Sequence, residues 1–171
     1  MPWRAAGLII VLTLGVLDLG QIGPPTVALE AAYRRSGAVM SEWEQVTLNG
    51  ELTLTVPTAV SRGPEQGVDT KVATWSGAGI NILVDQGPFV DPLVSYRDRV
   101  AYQSLQETIG GRVARIVSFV EGDGTRIVAA HFSGSEAGSR DRLTVVIRSD
   151  PAVLTEEVVF KIIRSLRFGG R

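Results

Sequence analysis

The chain of 171 residues has no cysteine and a single histidine, His131. Without thiols there is no disulfide framework, zinc ribbon, iron–sulfur cluster or cysteine nucleophile, and one imidazole cannot build a multi-histidine metal site. Neither sign of charge dominates, since 17 Lys and Arg stand against 18 Asp and Glu. A nucleic-acid binder neutralises phosphates with a basic excess, so that class is disfavoured, as is steering toward anionic lipid. Aromatic residues are scarce at 6%. What is present is ordinary: 44% apolar and 20% charged residues make a globular chain rather than a disordered one. The length suits one domain.

One long apolar run stands out, and it comes first. Arg4 is the only charge before the stretch from Ala5 to Leu17, which Asp18 ends. A cationic start, a short aliphatic core and a small-residue site describe a secretory signal peptide. The run falls short of the roughly 20 apolar residues of a membrane span. Gly20, Gly23, Pro24 and Pro25 break any helix beyond it. The expected division is a signal peptide over 1–28 cut after Ala28 (Ala31 and Ala32 being alternatives), a linker over 29–44 and a domain over 45–168. Without a cysteine there is no lipoprotein attachment. The alternative is an uncleaved N-terminal anchor, the one place where the chain would then touch a membrane.

Beyond Met40, period-two alternation predicts strands. Val46 to Val56 reads as a hairpin around Asn49-Gly50. A two-residue turn would put Val46 and Leu48 on the face opposite Leu52, Leu54 and Val56. A bulged three-residue loop, Leu48 to Gly50 with Gly50 left-handed, instead pairs Val46 with Leu52. Lys71 to Ser76 and Ile80 to Val84 are further strands around Gly77-Ala78-Gly79. Asp91-Pro92 resembles a helix start, with a short helix over Tyr96 to Ala101 and a strand over Tyr102 to Ile109. After Gly110-Gly111, Arg112 to Val120 is apolar on both faces, as a central strand would be. A turn at Glu121 to Gly124 leads into Thr125 to Phe132, and Arg142 to Arg148 alternates again. The closing segment carries Glu156 and Glu157 early and Lys161, Arg164 and Arg167 late, matching a helix dipole. Val159, Ile162, Ile163 and Leu166 form its apolar stripe. The class is α+β: an antiparallel sheet flanked by helices, with a closing C-terminal amphipathic helix.

The order Leu52 to Pro57, a Trp75-bearing strand, Ile109 to Ala114, Ala129 to Phe132, Leu143 to Val146 and Ile162 to Phe168 resembles exported bacterial proteins of the PsbP/DcrB-like superfamily. Its most specific parts are the Gly110-Gly111-Arg112 step and the closing Ile162-Ile163-Arg164-Ser165-Leu166-Arg167-Phe168. The resemblance implies an antiparallel sheet flanked by helices, in a non-enzymatic accessory or binding protein. It implies no site residues.

Chemistry-bearing groups are few. His131 with Ser133 or Ser135 and Asp123 or Asp141 would compose a serine hydrolase, but no nucleophile elbow accompanies them. Glu121 to Gly124 lacks the ligand spacing of a calcium loop. Gly77 to Gly79 joins strand to strand, so it cannot aim amides at a pyrophosphate as a dinucleotide loop does. Glu42, Glu44 and Glu51 read as a solvated face, and Trp43 and Trp75 as packing residues. Phe89, Tyr96 and Tyr102 lie in or near the long segment before Gly110. Aromatic residues on a loop held by a sheet suit partner binding, and otherwise anchor the core. The sequence therefore predicts an exported (periplasmic or extracellular), cofactor-free binding or accessory module whose partner is a protein or a small apolar ligand. A small hydrolase using His131 and a structural part of an envelope assembly are the alternatives.

Overall fold

The alternation from Val46 to Val56 folds into an antiparallel hairpin of β1 (Trp43–Leu48) and β2 (Leu52–Pro57). Leu48 faces Leu52 and Val46 faces Leu54, so apolar meets apolar as parity requires, but two residues away from the expected Val46–Leu52 pair. Gly50 is left-handed at φ +71°, a conformation glycine adopts without a Cβ clash. The loop is one step later than the sequence suggests because closing on Leu48 and Leu52 buries both; each is 3% exposed. The computed structural model describes residues 42–48, 50–64, 69–134 and 140–169. The expected signal peptide over 1–28 and the linker as far as 41 lie outside these residues.

Seven further strands complete the main sheet: β3 (Ser61–Arg62), β4 (Lys71–Gly77), β5 (Ile80–Gln86), β6 (Val100–Ile109), β7 (Arg112–Val120), β8 (Arg126–Phe132) and β9 (Leu143–Ser149). Their spatial order is β3-β4-β5-β9-β8-β7-β6, every neighbour antiparallel. The helix α1 (Glu156–Arg164) follows, and β10 (Arg167–Phe168) joins β1 and β2 in a small sheet ordered β1-β2-β10.

The inner face of the large sheet meets the small sheet and α1. Trp75, Ile82, Ile116, Phe132, Leu143 and Ile147 from the strands are each at most 1% exposed. They form one core with Leu54 and Val56 of β2 and with Val159, Ile162, Ile163 and Leu166. Full burial of each such side chain favours folding by about 1.5–3 kcal/mol. The helix end is stitched to β2 by Ser165, whose Oγ accepts from the Thr55 amide at 2.8 Å and donates to the Ile162 carbonyl at 2.6 Å. The Gly110-Gly111 turn between β6 and β7 has φ +57° and +81°. A Cβ on Gly110 would lie 2.8 Å from the Leu166 carbonyl oxygen, so glycine is required twice over, by conformation and by space.

Flanking helices are the part of the fold class that needs correction. The described residues hold one short helix, α1, and the outer face of the sheet is covered in part by turns over 87–99. Asp91 does receive the Leu93 amide on Oδ1 at 2.7 Å, as a helix start would. Leu93 then takes φ +58°, which no helix tolerates, and its side chain is buried at 1% exposed. Burial of Leu93 and a second bond to Asp91, from the Tyr96 hydroxyl at 2.7 Å, hold the turn where helix propensity is weak.

Candidate functional site

Strand alternation gives the outer face its own small core: Leu93, Val117, Phe119, Ile127 and Ala129, with Tyr96, Tyr102 and Val146 packed against it. Tyr96 stacks on Phe119 at 5.0 Å between ring centroids and 15° between planes. Its phenol is pushed above the ordinary tyrosine value, first by the bond to Asp91 and then by burial. This cluster covers only part of the face. Beside it, toward the β6–β7 turn, lies an open depression of about 550 Å³. It is lined by Pro92, Val94, Gln106, Arg115, His131 and Asp141, among others.

The depression is built on a cross-strand row. Gln106 of β6 faces Arg115 of β7, Arg115 faces His131 of β8, and His131 faces Thr144 of β9. His131 is 8% exposed, with Nδ1 at 2.9 Å from Thr144 Oγ1. The threonine hydroxyl donates its one proton to the Asp91 carbonyl at 2.8 Å, so toward His131 it can only accept. Nδ1 therefore carries the imidazole proton and Nε2 is left as an acceptor, with no partner among the described residues. Burial lowers the His131 pKa most, the cations of Arg142, Arg115 and Arg112 lower it further, and Asp91 opposes them.

The two arginines at the depression differ. Arg112 is engaged: Nη2 donates to the Ser133 carbonyl at 2.8 Å and the Asp141 carbonyl at 2.9 Å, and lies 4.0 Å from Asp141 Oδ2. Its guanidinium also sits over the Phe168 ring at 4.5 Å. Arg115, half-buried, makes no hydrogen bond or ion pair among the described residues. Alongside them Val94 and Val113 line the depression at 50% and 62% exposure.

The residues singled out by sequence distribute as follows. Phe89 projects from the cover at 79% exposure, whereas Tyr96 and Tyr102 are half-buried anchors of that cover. His131, Ser133 and Asp141 all line the depression, but the partner of His131 Nδ1 is the Thr144 hydroxyl, where a triad places a carboxylate. Asp123 lies at the opposite end of β8, in the β7–β8 turn, bonded to the Thr125 amide at 2.9 Å. Ser135 falls outside the described residues. Glu121 in that same turn pairs with Arg148 at 3.3 Å, and Gly77 to Gly79 closes the β4–β5 hairpin. Trp75 is buried and Trp43 half-buried under Lys161, 4.0 Å over its ring, while Glu42, Glu44 and Glu51 are exposed. Among the described residues no group of three His, Asp or Glu could hold a metal ion. Sequence reasoning missed Arg115. Counting back from the β7–β8 turn, with Val120 opposite Arg126, places it beside His131.

Comparison with known proteins corrects the family expectation. No family model and no curated protein matches the chain. The solved structures that match include the Ran-binding protein Mog1p of Saccharomyces cerevisiae, at TM-score 0.48 and 14% identity over 74% of this chain and 95% of that one. A point mutant of the protein Mog1 matches at TM-score 0.44 and 14% identity, over 75% of this chain and 96% of that one. The chain is therefore not placed among the exported bacterial proteins of the PsbP/DcrB-like superfamily. The residues that carried that resemblance are a hairpin turn at Gly110-Gly111 and the packing of α1 and β10, which serve folding in any sheet closed in this way.

Proposed function

We propose that the chain is a non-enzymatic protein-binding module that takes an acidic, apolar-bearing segment of its partner on the outer face of the large sheet. The observation that carries this reading is the depression. Within it, exposed Val94 and Val113 stand beside Arg115, a cation with no partner among the described residues. A surface that is apolar and cationic at one place complements a segment that is apolar and acidic. Phe89, exposed on the covering turns, is a further apolar side chain offered to a partner. The lining of Gln106, Arg115, His131 and Asp141, open to solvent, favours a protein segment over a small apolar ligand, which seeks an enclosed apolar cavity. The apolar start of the chain supports export, with removal of 1–28; intact mass of the protein recovered from cells reads this directly.

The docking reading is tested by site-directed photocrosslinking in cells, with the crosslinker placed at position 94 or 113 and, as a control, at Lys71 on the far side of the sheet. The expected result is one partner crosslinked from 94 and 113 but not from 71, and weakened by Val113→Asp and by Phe89→Ala at matched expression. Equal crosslinking from all three positions, or none from 94 and 113, overturns it.

A further inference from the structure

We propose that the depression holds a carboxylate of that acidic segment between the Arg115 guanidinium and Nε2 of a protonated His131, so that docking takes up a proton. The proposal rests on the docking reading and adds to it the chemistry of the contact. Arg115 offers a planar fork of donors suited to a carboxylate, and nothing described in the chain occupies it. His131 is the next residue along the same cross-strand row, and with Nδ1 committed to Thr144 its Nε2 has no partner among the described residues. Gln106, on the other side of Arg115 in that row, adds an amide donor.

The charges that face His131 set the direction of the coupling. Arg112 and Arg115 of β7 and Arg142 just before β9 disfavour an imidazolium in the empty site, while Asp91 of the covering turns favours it. Asp141 is directed to Arg112, at 4.0 Å. A carboxylate entering beside Arg115 offsets the local cationic excess, and a protonated Nε2 then donates to it where a neutral one would present a lone pair. By linkage, a ligand that favours the protonated form binds more tightly as pH falls, until its own carboxylate protonates near pH 4.

His131 is the only histidine, so its imidazole Cε1–H gives one unambiguous NMR signal. The titration uses the full chain between pH 5 and 8, alone and with a blocked leucine–glutamate alternating pentapeptide, its glutamine counterpart, or acetate. The expected result is an upward shift of the imidazole midpoint with the glutamate peptide only, and affinity that rises several-fold from pH 7 to pH 5.5. Arg115→Gln, at a half-buried surface position, should weaken the peptide by about tenfold, the scale of a lost charge-assisted bond, and abolish the midpoint shift. His131→Asn should leave binding insensitive to pH. An unmoved midpoint, or undiminished binding by a folded Arg115→Gln chain, overturns the carboxylate site. Equal binding of the glutamine peptide overturns it as well and leaves the docking reading standing. A full shift with acetate alone overturns the assignment to a protein segment. The docking reading itself fails only in the crosslinking experiment.

Discussion

The two faces of the large sheet are written in the same alternating strands yet end differently. On the inner face, even positions of β8 (Val128, Ala130, Phe132) and odd positions of β9 (Leu143, Val145, Ile147) meet a complete second layer of small sheet and helix. On the outer face, Ile127, Ala129 and His131 alternate with them but meet only the turns over 87–99, which cover part of the surface. A strand pattern states which side chains share a face. It does not state what will cover that face, and the uncovered remainder of the outer face is where the polar row and the depression lie.

If the inner face carries most of the stability, the largest loss should come from Ile162→Asp. It strands a charge in a site with 0% exposure, and the cost should be about 4 kcal/mol or more, read as loss of soluble protein or of a cooperative thermal transition. An unchanged melting temperature would show that α1 does not close the core. Next is Gly110→Ala, where a left-handed φ combines with the Leu166 carbonyl 2.8 Å from the new Cβ; we expect a loss of about 2 kcal/mol by denaturant titration. If the outer cover is a local unit, Tyr96→Ala should behave differently from both. Losing the Phe119 stack and the Asp91 bond should cost about 1–2 kcal/mol globally, and amide exchange should rise over 90–99 while β8 and β9 stay protected. Uniform acceleration across the sheet would make the cover part of the main cooperative unit.

The smallest effect concerns pH. His131 has a lowered pKa in the folded chain, so between that value and about 6.5 the unfolded chain binds more protons. Its contribution to stability is present above about pH 6.5 and is lost as pH falls through the folded value. Asp85 runs the other way: its carboxyl is raised mainly by burial, so its contribution is lost as pH rises above about 4. Comparing wild type with His131→Asn isolates the histidine, and the variant should lose less stability between pH 6.5 and pH 5. Parallel curves would show that His131 titrates as it does in the unfolded chain.

Much of the fold was legible because it depends on local periodicity. The strands of the main sheet other than the two-residue β3, the closing amphipathic segment and the turns at Gly110-Gly111 and Glu121 to Gly124 follow from alternation, i+3/i+4 spacing and glycine. The first hairpin shows the limit. Parity excluded the wrong face, but registers two residues apart satisfy parity equally, and the choice fell to burial of Leu48 and Leu52. The segment after Asp91 shows another: a capping carboxylate was read correctly, yet its second oxygen took a tyrosine five residues on and the helix never formed.

The candidate site divides in the same way. The sequence by itself determined that this chain has one imidazole, no thiol, balanced charge and a strand carrying His131 opposite an apolar inner face. Only the tertiary structure decided that β9 inserts between its sequence neighbour β8 and the distant β5, which brings Thr144 to Nδ1 and Asp91 to Thr144 from 53 residues away in the chain. That pairing commits Nδ1 and leaves Nε2 without a partner among the described residues, and Arg115, likewise without one among them, lies one strand over. Strand order between distant segments is set by burying both faces of the sheet at once, a condition on the whole chain that no local pattern of residues contains.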